Sequence, residues 1–98
     1  IPPETKKEFN TYHTFVVQVS KRDKLKKYLK SKGIETSIHY PIPIHLQPAL
    51  KKLKYRYSNL NKTEKKSKKI ITLPINQFLK KSEIQTICYE VNNFYENF

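Results

Sequence analysis

The spacing of hydrophobic positions changes several times along the chain, and each change marks an element. Tyr12-His13-Thr14-Phe15-Val16-Val17-Gln18-Val19 is aromatic and β-branched, without glycine or proline, and reads as a strand. Phe15, Val17 and Val19 share one face and Val16 falls on the other, so the strand is expected to be covered at least in part on both sides. Ser20-Lys21-Arg22-Asp23 has the form of a capping box, with Ser20 as N-cap and Asp23 at N3, ahead of Leu25, Tyr28 and Leu29 at helical spacing. That helix is expected over residues 21–32 and closes on Gly33, whose missing Cβ permits the left-handed position after the last turn. Ile34, Thr36 and Ile38 then alternate with Glu35, Ser37 and His39, which predicts a second strand up to Tyr40 with His39 pointing away from the core. Strand, helix and strand in so short a compass imply an α/β unit with the helix on one sheet face.

The second half continues with shorter signals. Pro48 to Leu53 predicts a short helix with proline in its first turn, and residues 54–61 lack either period and read as loop. Asn61-Lys62-Thr63-Glu64 resembles another capping box and opens a lysine-rich helix to about Lys69. Residues 70–75 turn extended, with Pro74 limiting them to a short or edge strand. Ser82-Glu83-Ile84-Gln85 gives a third box, followed by Ile84, Ile87, Cys88, Val91, Phe94 and Tyr95 on one helical stripe, in which Cys88 is expected to be buried. Residues 1–11 are polar with two early prolines and read as a lead-in or linker. The opening Ile1-Pro2-Pro3 is compatible with a processed or cut chain.

At 98 residues the chain fits one domain, and no apolar run approaches the ~20 residues a membrane-spanning helix requires. Twenty Lys plus Arg against eight Asp plus Glu give a net charge of +12, which would attract nucleic acid or another polyanion. Eighteen of these cations are lysines spread along the chain, and dispersed lysine is a solvated surface more often than a reading head, because base and bidentate phosphate recognition favour arginine. The tyrosines flanking Arg56 could stack on bases, but one such triplet is a weak signal and packing over a loop is the commoner reading. A single cysteine precludes an intrachain disulfide and fits a reduced, cytoplasmic setting.

Candidate chemistry concentrates between Gly33 and Pro48. Proline at 41, 43 and 48 fixes φ and pushes the preceding residues towards extended backbone, so residues 40–45 are expected to be rigid and non-helical. His39, Tyr40, His45 and Gln47 offer neutral donors and acceptors on this run, which suits an anionic or sugar ligand; a proline-stiffened structural loop is the competing reading. Two imidazoles could also start a metal site, but the third and fourth ligands are missing, so no metal is expected. One glycine cannot build a phosphate-cradling loop, and Ser20 and Ser37 lack a nucleophile-elbow context. Residue supply therefore points to part of a site, with no catalytic group and no cofactor-binding residue in this chain.

The ordered blocks Tyr12-His13-Thr14-Phe15-Val16-Val17, Arg22-Asp23 to Gly33-Ile34-Glu35-Thr36, His39-Tyr40-Pro41-Ile42-Pro43-Ile44-His45-Leu46-Gln47-Pro48, Thr63-Glu64-Lys65 and Leu73-Pro74-Ile75 closely resemble the C-terminal small domain of the DegT-like family of nucleotide-sugar aminotransferases. The resemblance implies an α/β (α+β, two-layer) small domain over residues 12–98, with a short, mainly antiparallel sheet and helices packed on it, as in fold-type-I pyridoxal-phosphate enzymes. It also implies a much longer, homodimeric parent whose large domain holds the pyridoxal 5'-phosphate and its lysine. The parent would use glutamate and a nucleotide-linked keto-sugar as substrates. By the same likeness His39 and Tyr40 face sugar or nucleotide, and His45 with Gln47 forms the rim or a structural clamp of the loop. His13, Gly33, Pro41, Pro43 and Glu64 are implied to be structural. The chain departs from the family pattern at Ser58-Asn59-Leu60-Asn61 and at Asn76-Gln77. The resemblance leaves the isolated chain without expected turnover. Two readings of other classes stand beside it: a basic module for nucleic acid or other anions, and a docking partner of a full-length aminotransferase.

Overall fold

A computed structural model of the chain describes residues 3–53 and 59–98. The element order is β1 (Phe15–Gln18), α1 (Arg22–Ser31), a 3-10 turn (Ile44–Leu46), α2 (Pro48–Lys52), α3 (Asn61–Ser67), β2 (Ile70–Leu73) and α4 (Lys81–Asn97). The Tyr55-Arg56-Tyr57 triplet and most of the loop expected around it lie outside the described residues.

β1 and β2 pair antiparallel, with Phe15 opposite Leu73 and Gln18 opposite Ile70. The expected strand at 12–19 is thus shortened to its β-branched centre. Pairing extends to Val19, whose N–H donates to the Lys69 carbonyl at 2.8 Å. On the other edge of β2 only Ser37 pairs among the described residues, exchanging bonds of 3.1 and 2.7 Å with Thr72. Both backbone groups of Thr72 are therefore committed to Ser37, which makes Val16–Thr72 a non-hydrogen-bonded pair of the antiparallel ladder.

The second strand expected at 34–40 is reduced to this single bridge, for an identifiable reason. The Ile34 N–H is used to close α1, the Thr36 carbonyl accepts from Lys26 Nζ at 2.5 Å, and β2 is too short to offer further partners. The alternation itself persists: Ile34 and Thr36 are buried while Glu35, Ser37 and His39 are exposed.

α1 ends as a Schellman motif. Gly33 sits at φ 76° after the last turn, its N–H donates to Lys30 O at 3.0 Å, and the Ile34 N–H reaches back to Leu29 O at 2.9 Å. Leu29 and Ile34 meet in the core and supply the apolar contact that accompanies this closure. The helix start corrects the capping-box expectation: Lys21 takes a left-handed conformation (φ 51°) as N-cap, and no side chain caps the helix. Asp23 instead accepts from Arg22 Nε at 2.6 Å, and Arg22 Nη1 donates to the carbonyls of Ser67 and Ile70 at 3.2 and 2.9 Å, tying the start of α1 to the turn before β2.

α1 and α4 pack on the sheet face that carries Val17, Ile71 and Leu73, and the core is Leu25, Leu29, Ile34, Ile71 and Phe94. Burying each of these side chains contributes about 1.5–3 kcal/mol. α4 starts two residues earlier than its sequence signal: Lys80 is the N-cap, and Glu83 accepts from its N–H at 2.7 Å. Only Ile87, Val91 and Phe94 of the α4 stripe reach the core; Ile84, Cys88 and Tyr95 are exposed. The expected burial of Cys88 is thus corrected, because α1 covers one narrow edge of α4 and nothing in the described chain covers the rest. The architecture is α+β, a two-stranded antiparallel sheet with helices packed against it.

Candidate functional site: the proline loop between two histidines

The loop from His39 to His45 leaves the sheet at Ser37 and arrives at α2, and side chains rather than backbone hold it. Among the described residues no backbone N–H from Ile38 to Ile44 has a backbone partner. Pro41 and Pro43 supply stiffness by fixing φ, and the peptide between His39 and Tyr40 is cis. The first backbone bonds to resume are Leu46 N–H to Pro43 O at 2.9 Å and Gln47 N–H to Ile44 O at 3.1 Å, which form the 3-10 turn.

The two histidines stand at opposite ends of this run and are held differently. His39 Nδ1 lies 2.8 Å from Thr72 Oγ1, an exposed ring leaning on a buried hydroxyl of β2. The Nε2 atom of His39 has no hydrogen bond among the described residues. His45 is only 6% exposed, and its Nε2 is 2.9 Å from Glu64 Oε1. An ionised carboxylate only accepts, so Nε2 carries a proton and donates. That nitrogen is therefore engaged with the α3 carboxylate.

Between these ends the loop displays Tyr40, 73% exposed, with its ring edge-on to His39 at 5.4 Å. Ile42 and Ile44 are exposed too. A groove of about 310 Å³ runs between the loop and α3, lined by Tyr40, Ile42, Pro43, Ile44, Thr63 and Lys66 among others. Gln47 is exposed at the far end, and its side chain makes only a long 3.5 Å contact with Ile42 O among the described residues.

The other residues singled out by sequence separate into two groups. Glu64 belongs to this cluster, though not as the cap residue of α3: Asn59 Oδ1 accepts from the Asn61 N–H at 3.1 Å, and the Glu64 carboxylate turns to His45. Gly33 stands apart, closing α1. His13 is exposed in the arm before β1 and has no hydrogen bond among the described residues. Thr72, Thr63 and Lys66 were missed. A lone threonine inside Ile70-Ile71-Thr72-Leu73 was the one available signal, since a polar residue in a buried strand requires a partner.

Among the described residues no three His, Cys, Asp or Glu side chains gather closely enough to hold a metal ion. No helix among them is long and apolar enough to cross a membrane. Nor do they fit pyridoxal phosphate. The only glycine is used at a helix end, and the only aspartate, a residue type that commonly pairs with the cofactor's ring nitrogen, is bound to Arg22 on the surface.

Comparison with known proteins places this geometry. The chain is 34% identical over 97 residues to a pleiotropic regulatory protein of Geobacillus stearothermophilus, covering 99% of this chain and 26% of that protein. It is 30% identical over 94 residues to the dTDP-3-amino-3,6-dideoxy-alpha-D-galactopyranose transaminase of Aneurinibacillus thermoaerophilus, covering 96% of this chain and 25% of the enzyme. Its fold superposes on Streptomyces venezuelae DesV, solved in complex with a ketimine intermediate, with a TM-score of 0.80 and 30% identity, over 89% of this chain and 24% of that one. The chain thus spans about a quarter of the length of the relatives it matches. The sequence pattern of the DegT/DnrJ/EryC1/StrS aminotransferase family matches residues 1–92, and the chain belongs to that family.

Proposed function

We propose that this chain is the C-terminal, substrate-facing small domain of a pyridoxal-phosphate-dependent aminotransferase that acts on a nucleoside-diphosphate keto-sugar, and that it has no turnover alone. The observation that carries this reading is the fit of nearly the whole chain onto about a quarter of an aminotransferase at a TM-score of 0.80, with its exposed aromatic loop held away from its own core. Residues 1–11 would lead in from the large domain and residues 12–98 form the small one. The large domain supplies pyridoxal phosphate, which acts as the electron sink for amino transfer from glutamate. The partners are that domain, a second subunit of a homodimer and the nucleotide sugar, in the cytoplasm.

Within this reading Tyr40 and the unpaired Nε2 of His39 face the sugar or nucleotide. A phenol and an imidazole nitrogen suit hydroxyl-rich ligands, since both donate or accept without a fixed charge. Gln47 lies at the rim, and His45 with Glu64 fixes the loop behind them. The apolar stripe of α4 left open at Ile84 and Cys88 suits burial against the missing three quarters of the enzyme.

The test is amino transfer from glutamate to a nucleotide keto-sugar, measured with the full-length protein that contains this chain and, separately, with the 98-residue chain plus pyridoxal phosphate. Turnover is expected from the first and none from the second. Activity in the short chain would refute the fragment assignment, and a full-length protein inert towards every nucleotide keto-sugar would refute the substrate class.

A further inference from the structure

We propose that the His45–Glu64 pair is a positioning contact that sets the aim of residues 40–44, so that Glu64 acts on substrate binding without touching substrate. This deepens the functional reading above and rests on it for the substrate, though not for the contact itself.

Three observations carry the inference. The first is that no backbone N–H from Ile38 to Ile44 has a backbone partner among the described residues, so the course of this run is set largely by what grips its ends. The second is the kind of side-chain bond that grips the far end. His45 is 6% exposed and donates to a carboxylate at 2.9 Å, whereas exposed His39 meets a neutral hydroxyl. Hydrogen bonds to a charged partner are about twice as strong as neutral ones. The third is that Glu64 is withdrawn from the local work its position in α3 would favour. Its carboxylate crosses nineteen residues of sequence to reach His45, while Asn59 serves the helix start.

The groove between the loop and α3 is consequently a fixed shape. Both of its walls, Tyr40 to Ile44 on one side and Thr63 with Lys66 on the other, are joined beneath by the same pair. Lys66 is the one charged side chain among the described residues that line the groove, a polarity suited to a phosphate-bearing ligand. A loop aimed in advance binds without the cost of ordering it, which is where a positioning contact shows in affinity.

The experiment compares Glu64→Ala and Glu64→Gln by amide hydrogen exchange in the 98-residue chain and in the full-length holoenzyme. The Gln side chain retains an oxygen that accepts from His45 Nε2. For Glu64→Ala, protection of the Leu46 and Gln47 amides is expected to fall about tenfold or more, the worth of one charged hydrogen bond, while Leu25 and Leu29 in α1 keep theirs. Glu64→Gln is expected to recover most of the protection. Unchanged Leu46 and Gln47 in Glu64→Ala, an equal loss throughout α1, or a Gln variant as poor as Ala would each overturn the positioning role. In the holoenzyme, Glu64→Ala is expected to raise the KM for the nucleotide keto-sugar about tenfold with little change in kcat or in the KM for glutamate. Altered exchange with an unchanged sugar KM would leave the contact standing and overturn the assignment of this loop to the sugar.

Discussion

The two sides of the β1–β2 ribbon are held together by different physics. On one side Leu25, Leu29 and Ile71 are fully buried between α1, α4 and the sheet, and apolar contact does the work. On the other, Thr72, His39, His45 and Glu64 are joined by directed hydrogen bonds, while Tyr40, Ile42 and Ile44 stand in solvent. The first arrangement makes a core, and the second makes a presented surface whose shape is fixed without being covered. The chain builds enough core to define its fold and leaves Tyr40, Ile42, Ile44 and Ile84 exposed.

The contrast is broken most directly by matched truncations on the two sides. Leu29→Ala is expected to cost about 2–5 kcal/mol, because the site is fully enclosed and the cavity cannot collapse freely. Ile44→Ala, at a residue 76% exposed, is expected to change stability by no more than about 0.5 kcal/mol despite removing similar apolar volume. Urea unfolding followed by circular dichroism measures both. Equal costs would mean that the loop is packed in solution and that the two sides are not distinct.

A smaller effect sharpens the polar side. Thr72 and Thr36 are both buried threonines of the sheet region, yet Thr72 Oγ1 meets His39 while Thr36 Oγ1 has no partner among the described residues. Thr72→Val is expected to cost about 1 kcal/mol and to free the His39 ring, read from its imidazole nitrogen shifts, whereas Thr36→Val is expected to be neutral or stabilising. A destabilising Thr36→Val would show that its hydroxyl is satisfied in solution.

The same division explains which features were legible beforehand. Periodicity located the helices, the inward face of β1 and the alternation of residues 34–39, and Gly33 marked the end of α1, because these depend on local geometry and on which face is apolar. Periodicity does not say whether the partner of an apolar face lies in the same chain, so Ile84, Cys88 and Tyr95 read as core and are exposed. Capping motifs misled where another bond outcompeted the expected one. Asp23 is taken by its neighbour Arg22, and Glu64 by His45 nineteen residues away. The candidate loop was legible from its prolines and histidines. Its fixing points were not, since Thr72 and Glu64 reach it only through the fold.

The smallest expected effect lies at the polar edge of the packed side, where Tyr28 of α1 donates to Glu90 Oε2 at 2.6 Å and accepts from Asn93 Nδ2 at 2.8 Å. The bond to Glu90, with some loss of solvent, raises the Tyr28 pKa above the ordinary phenol value. A group whose folded pKa is raised contributes stability that is fully present below its unfolded value, near 10, and lost as pH rises through the folded one. Stability should therefore fall above pH ~10, and Tyr28→Phe should fall less steeply. The informative quantity is the difference between parent and variant, in which every group common to both cancels. Tyr95 is shifted upward as well, chiefly by burial, so Tyr28→Phe flattens the alkaline limb without abolishing it. Thermal melts from pH 8 to 11 give the comparison. Identical slopes would mean that the Tyr28–Glu90 bond is not formed in solution, and the α1–α4 seam would then rest on Phe94, its apolar neighbours and the bond from Asn93.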